Sequence, residues 1–132
     1  MGHKIDRAVI VEDNPQMRDL IKMVLGSFGT RDITQAANGA EAITALKSAA
    51  ADIVIMDWKM DVMDGLECTR RIRAGVEGLD PTLPIVLLTG MTGKDSEAAA
   101  NEAGVDFFLE KPFSLKTLHA AISKVLDARP PK

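Results

Sequence analysis

Three carboxylates, a hydroxyl and an amine stand where short apolar runs end. Glu12 and Asp13 follow the run from Ala8 to Val11, Asp57 follows Ile53 to Met56, Thr89 follows Ile85 to Leu88, and Lys111 comes shortly after Val105 to Leu109. Carboxylates brought together repel, which raises some of their pKa values and costs stability, and a cation is the usual remedy. Oxygen donors of this kind suit Mg²⁺, which demands octahedral oxygen geometry and keeps much of its water. Zinc is disfavoured, because His3 and His119 lie outside the set. A carboxylate held beside a cation, a lysine and a hydroxyl is equipped for phosphoryl chemistry, where positioning and charge neutralisation carry most of the catalysis. In that chemistry Asp57 is the candidate nucleophile. Lys111 neutralises a phosphoryl oxygen, while Thr89 and the backbone N–H groups after Asp57 donate hydrogen bonds to the others.

Taken singly, each residue has an ordinary role. Acidic residues after a strand often cap helices or sit in solvated loops, a threonine can close a turn, and a lysine can lay its stem along the surface. What joins them is the pattern of elements. Short β-branched runs alternate with helical patterns, the signature of βαβ units that build a parallel sheet. Five such repeats can be counted, with strands expected at Ala8 to Val11, Ile33 to Ala36, Ile53 to Met56, Ile85 to Leu88 and Val105 to Leu109. In an open parallel sheet, ligands bind beyond the carboxyl ends of the strands where strand order reverses. All five polar residues converge on that edge.

The helices have their own signals. Asn14 and Pro15 open the first, whose apolar positions from Met17 to Phe28 recur at helical spacing up to Gly29; Asn38 and Gly39 precede a second with Ala42, Ile43 and Leu46 on one face. A loop from Asp57 to Gly65 leads into a third, stopped by Gly75 and Gly78, and a fourth runs around Glu97 to Ala103 and ends at Gly104. Ser114 caps the last, with Leu115, Leu118, Ile122, Val125 and Leu126 expected to face the core. The fold expected is α/β: a doubly wound five-stranded parallel sheet flanked by five helices.

At 132 residues the chain is read as one domain, residues 1–132, with a core of about 7–127 and 128–132 as a tail or the start of a linker. Its formal net charge is −3 with cations dispersed, so the footprint of direct nucleic acid binding is missing, and Arg70, Arg71 and Arg73 read as a solvated helix face. One cysteine, Cys68, rules out an intramolecular disulfide, and no apolar run is long enough to span a bilayer. A cytoplasmic protein without membrane insertion is expected.

In order and spacing, Glu12-Asp13, the strand ending at Asp57, Met63-Asp64-Gly65, Leu88-Thr89-Gly90 and Lys111-Pro112-Phe113 resemble the receiver domains of two-component response regulators, particularly the CheY-like single-domain type with its flavodoxin-like fold. The resemblance spans roughly Ala8 to Leu126. It implies a phosphorylation-dependent signalling switch of a phosphorelay, in which Asp57 takes a phosphoryl group from a sensor histidine kinase or a histidine phosphotransfer protein. It implies direct Mg²⁺ ligation by Asp13, Asp57 and the backbone carbonyl of Lys59, with Glu12 acting through a metal-bound water and Mn²⁺ as the alternative cation. Lys111 pairs with the carboxylate and then with the phosphoryl group, and the Lys111-Pro112 peptide is cis in such domains. Thr89 moves toward the phosphoryl group and Phe108 turns into the space vacated, reshaping the surface of helix four, strand five and helix five for a downstream protein target. No enzymatic role beyond self-directed phosphoryl transfer and autodephosphorylation is implied.

Phe108 also reads as a plain edge-strand core residue, and it stands where a tyrosine is common in the family, so it has no hydroxyl to donate in either rotamer. Asp61 replaces a common proline, which points to a more flexible and more acidic loop after Asp57. Lys59 and Met91 border the pocket and are places to tune the lifetime of a phosphorylated state. A haloacid-dehalogenase-like phosphatase also uses an aspartate nucleophile with Mg²⁺. It needs a general-acid aspartate two residues on, where this chain has Lys59.

Overall fold

The computed structural model describes residues 4–90 and 93–128, so Met91 and the tail beyond 128 lie outside the described residues. In chain order the elements are β1 (Arg7–Val11), α1 (Pro15–Gly26), β2 (Asp32–Ala36), α2 (Gly39–Ser48), β3 (Ile53–Asp57), α3 (Gly65–Arg73), β4 (Ile85–Thr89), α4 (Lys94–Ala103), β5 (Phe107–Glu110) and α5 (Leu115–Ala128), with one 3-10 turn at Val76–Gly78.

Local chemistry sets the helix starts. Asn14 accepts from the Met17 N–H at 3.1 Å, Asn38 from Glu41 at 3.0 Å and Asp64 from Glu67 at 2.8 Å. At α5, Ser114 Oγ accepts from the Thr117 N–H while Thr117 Oγ1 accepts from the Ser114 N–H. Each such cap contributes about 1 kcal/mol. Each helix follows a strand, so these N-termini, the positive ends of the helix dipoles, share the sheet edge where the polar residues were expected.

The sheet runs β2-β1-β3-β4-β5, every pair parallel. Order reverses between β1 and β3, so the crevice beyond their carboxyl ends is the place for a ligand. β1, β3 and β4 are buried on both faces. Val9, Val11, Val54, Met56, Ile85 and Leu87 pack beneath α2, α3 and α4, while Ala8, Ile10, Ile53, Ile55, Val86 and Leu88 pack beneath α1 and α5. Both sides of each strand are therefore apolar, with no polar alternation. No helix among the described residues is long and apolar enough to cross a membrane.

Three expectations are corrected. β5 begins at Phe107 rather than Val105, because Gly104, left-handed at φ 102°, and Val105 both turn their N–H groups back onto the Ala100 carbonyl and close α4. Leu115 does not face the core: it is 43% exposed and lines a surface cavity of about 280 Å³ with Met23, Val24 and His119. Arg73 does not belong to a solvated face. Its guanidinium donates to the carbonyls of Gly104, Pro81 and Leu83 and to the Asp106 carboxylate, at 2.7 to 2.9 Å. Arg70 and Arg71 are exposed as expected.

Candidate functional site

The carboxyl ends of β1 and β3 bring Glu12, Asp13 and Asp57 together, one carboxylate oxygen from each lying within 4.8 Å of the others. Glu12 is buried, Asp57 nearly so and Asp13 exposed, so the cluster opens to solvent on the Asp13 side. Burial pushes the Glu12 carboxyl above the usual carboxylate range and the neighbouring Asp57 charge adds to this, while Lys111 and the Asn14 N–H oppose it.

Lys111 reaches in from the far side of the sheet. Its Nζ lies 3.3 Å from Asp57 Oδ1 and 3.5 Å from Glu12 Oε2. The Lys111 N–H donates to the Thr89 carbonyl at 2.7 Å, and the Lys111-Pro112 peptide is cis. Thr89 is buried as the last residue of β4; on the strand beside it Asp57 pairs with Leu88, which places Thr89 one step beyond Asp57.

The loop after Asp57 is fixed by its backbone. The Trp58 N–H donates to the Leu88 carbonyl at 2.9 Å and the Gly65 N–H to the Trp58 carbonyl at 2.8 Å. Only glycine fits at 65, since an added Cβ would lie 2.6 Å from the Asp57 carbonyl oxygen and 2.7 Å from Leu87 Cδ1. Lys59 and Asp61 are exposed in this loop. At Asp61 the chain closes a three-residue turn, the Met63 N–H donating to the Asp61 carbonyl at 2.7 Å over Val62, which sits at φ 68° and is 85% exposed. A β-branched residue carries no sequence signal for that conformation.

Sequence reasoning also missed a ring contact. Phe108 pairs with Leu87 across the sheet and meets Trp58 edge to face, centroids 6.2 Å apart at 77°. Trp58 is the residue after the candidate nucleophile, so this contact joins the acidic cleft to β5. Tryptophan beside an aspartate gives no hint of its partner in the sequence.

Fold and site together define an open α/β protein whose switch-point crevice carries an acidic cluster answered by Lys111. Three oxygen donors crowded at one point, one of them buried, fit a hard divalent cation. Comparison with known proteins gives the family. A profile described as the response regulator receiver domain matches residues 8–123, and the chain belongs to that family. Receiver domains are signalling switches rather than conventional enzymes, and they work with histidine kinases and downstream targets. The chain is 34% identical over 121 residues to the chemotaxis protein CheY homolog of Campylobacter jejuni, covering 91% of this chain and 92% of that one. It is 33% identical over 131 residues to the transcriptional regulatory protein GlrR of Escherichia coli K12, covering 99% of this chain but spanning only 28% of the relative's length. Among solved structures, a response regulator from Chloroflexus aurantiacus superposes with a TM-score of 0.83 at 28% identity, covering 94% of this chain and 99% of that one. The receiver domain of the Pseudomonas aeruginosa sensor histidine kinase PA1611, which has a magnesium ion in its active-site cleft, gives 0.79 at 30% identity, covering 97% and 100%.

Proposed function

We propose that Asp57 is the phosphoacceptor of this switch. A carboxylate oxygen of Asp57 attacks the phosphorus of a phosphohistidine on a sensor kinase or phosphotransfer protein; the P–N bond breaks, a P–O bond forms and the imidazole leaves. Lys111, already within 3.3 Å of the Asp57 carboxylate, shifts its charge onto a phosphoryl oxygen, and the Thr89 hydroxyl donates to another. Asp13, Asp57 and the Lys59 carbonyl would hold Mg²⁺, or Mn²⁺ in its place, with Glu12 acting through a water. The cation would supply charge neutralisation beyond that of Lys111. Water attack on the acyl phosphate later returns the aspartate.

The observation that carries this reading is Lys111 Nζ lying within 3.5 Å of both Glu12 and Asp57 in a three-carboxylate cluster. Phosphorylation brings new negative charge and strong acceptors into that space, and the population shifts between two packings of Thr89 and Phe108. The surface formed by α4, β5 and α5 then engages a protein target. Residues 1–132 act as one receiver domain in the cytoplasm, where the lone thiol of Cys68 stays reduced, and bind neither nucleic acid nor membrane directly.

Incubation with Mg²⁺ and acetyl phosphate, followed by intact mass spectrometry under conditions that preserve acyl phosphates, tests the assignment. Wild type gains one phosphoryl mass and Asp57→Asn gains none. A wild type that gains nothing, or an Asp57→Asn that gains as much, overturns it. Trp58 fluorescence supplies a second readout, shifting with Mg²⁺ or beryllofluoride.

A further inference from the structure

The single guanidinium of Arg73 touches three separate stretches of chain. Nε donates to the carbonyl of Gly104, which caps α4; Nη1 donates to Pro81 and Leu83, on the approach to β4; and Nη2 meets Asp106, which stands just before β5. The same Asp106 oxygen also accepts from the Ile85 N–H at 2.7 Å, so one carboxylate ties the starts of β4 and β5 to the arginine. Gly104 is interlocked with it: a Cβ there would lie 2.9 Å from Arg73 Cγ. The planar guanidinium fork lets one side chain fix several acceptors at once.

Arg73 is the last residue of α3, and the other end of that helix is Gly65, seated against the Asp57 carbonyl. Nine residues at helical rise make a rod of roughly 13 Å between the two. Phe108 lies two residues beyond Asp106. We propose that α3 and Arg73 form a second mechanical link from Asp57 to the junction of α4 and β5, separate from Thr89, with Arg73 acting as a positioning residue that makes the junction follow α3. This rests on Asp57 being the phosphoacceptor. Movement of the Asp57 carbonyl displaces Gly65, α3 carries the displacement, and the Arg73 fork passes it to Gly104 and Asp106 together. Packed helices move in this way as rigid bodies rather than by continuous deformation.

The test uses Mg²⁺ and beryllofluoride on the full chain, with fluorine NMR for occupancy at Asp57 and hydrogen exchange of the amides from 104 to 108 for the junction. Wild type binds the probe and changes exchange at the junction. Arg73→Met binds the probe while the exchange change at the junction shrinks by about fivefold or more. Arg73→Lys, which keeps the charge but reaches fewer acceptors, falls between the two and is decisive if Arg73→Met fails to fold. A junction response of wild-type size in the folded variants overturns the link and leaves Arg73 as a plain structural clamp. A wild type that does not bind beryllofluoride removes the phosphoacceptor reading, and the link with it.

Discussion

Lys111 Nζ sits 3.3 Å from Asp57 Oδ1 and 3.5 Å from Glu12 Oε2, so one ammonium serves a buried carboxylate and a nearly buried one. Its removal leaves Glu12 and Asp57 repelling each other and deprives an incoming phosphoryl group of its counter-charge. Lys111→Met is expected to slow labelling by acetyl phosphate by about 100-fold, the scale of losing one charge-stabilising donor. The time course of phosphoryl mass gain measures it. A rate within threefold of wild type would exclude a role for Lys111 in transfer.

Gly65→Ala places a methyl group against the Asp57 carbonyl and Leu87. Backbone cannot yield as a flexible side chain does, so the loop must shift, and the fold loses about 1–3 kcal/mol. Urea unfolding reads the loss, and slower labelling of Asp57 should accompany it.

Val62 holds a left-handed conformation at φ 68° while 85% exposed, so no buried contact compensates the strain. Val62→Gly is expected to stabilise the native chain by up to about 1 kcal/mol, the steric cost of a left-handed L-residue less the added freedom of glycine when unfolded. An unchanged or lower urea midpoint would show that the turn carries no net strain.

Cys68 is fully buried on the inner face of α3, and burial pushes its thiol from 9.0 to about 12. The folded chain therefore keeps this proton through a range in which the unfolded chain releases it. Folded protein binds more protons than unfolded between about pH 9 and 12, so stability falls as pH rises through that window. Cys68→Ala should flatten this part of the stability profile. Iodoacetamide should leave native protein unlabelled at pH 8 and modify it once it is unfolded in urea.

Much of the site could be read from residue order because strand ends are local features. An apolar run of four or five residues followed by Asp, Thr or Lys announces both the strand and what it delivers to the sheet edge. The caps at Asn14 and Ser114 were equally legible, each bonding to a backbone N–H three residues on; Asn38 and Asp64 cap in the same way. Less legible was β5, where the apolar residue Val105 looks like strand but is consumed in closing α4. Leu115 failed in the same way, since a periodic pattern does not say where the sheet beneath the helix ends.

The amino-acid order alone thus determined the alternation of strands and helices, the all-apolar central strands, and Glu12, Asp13, Asp57, Thr89 and Lys111 as the candidates for chemistry. The tertiary structure decided how they meet. Lys111 and Glu12 are 99 residues apart in the chain, and only the parallel stacking of β1, β3, β4 and β5 brings them within 3.5 Å. It likewise turned Arg73 inward, set Trp58 against Phe108 and bent the backbone at Val62. Periodicity and capping act over three or four residues and are written locally. The partner of a guanidinium or a ring depends on which distant segments pack beside it, and packing is a property of the whole fold.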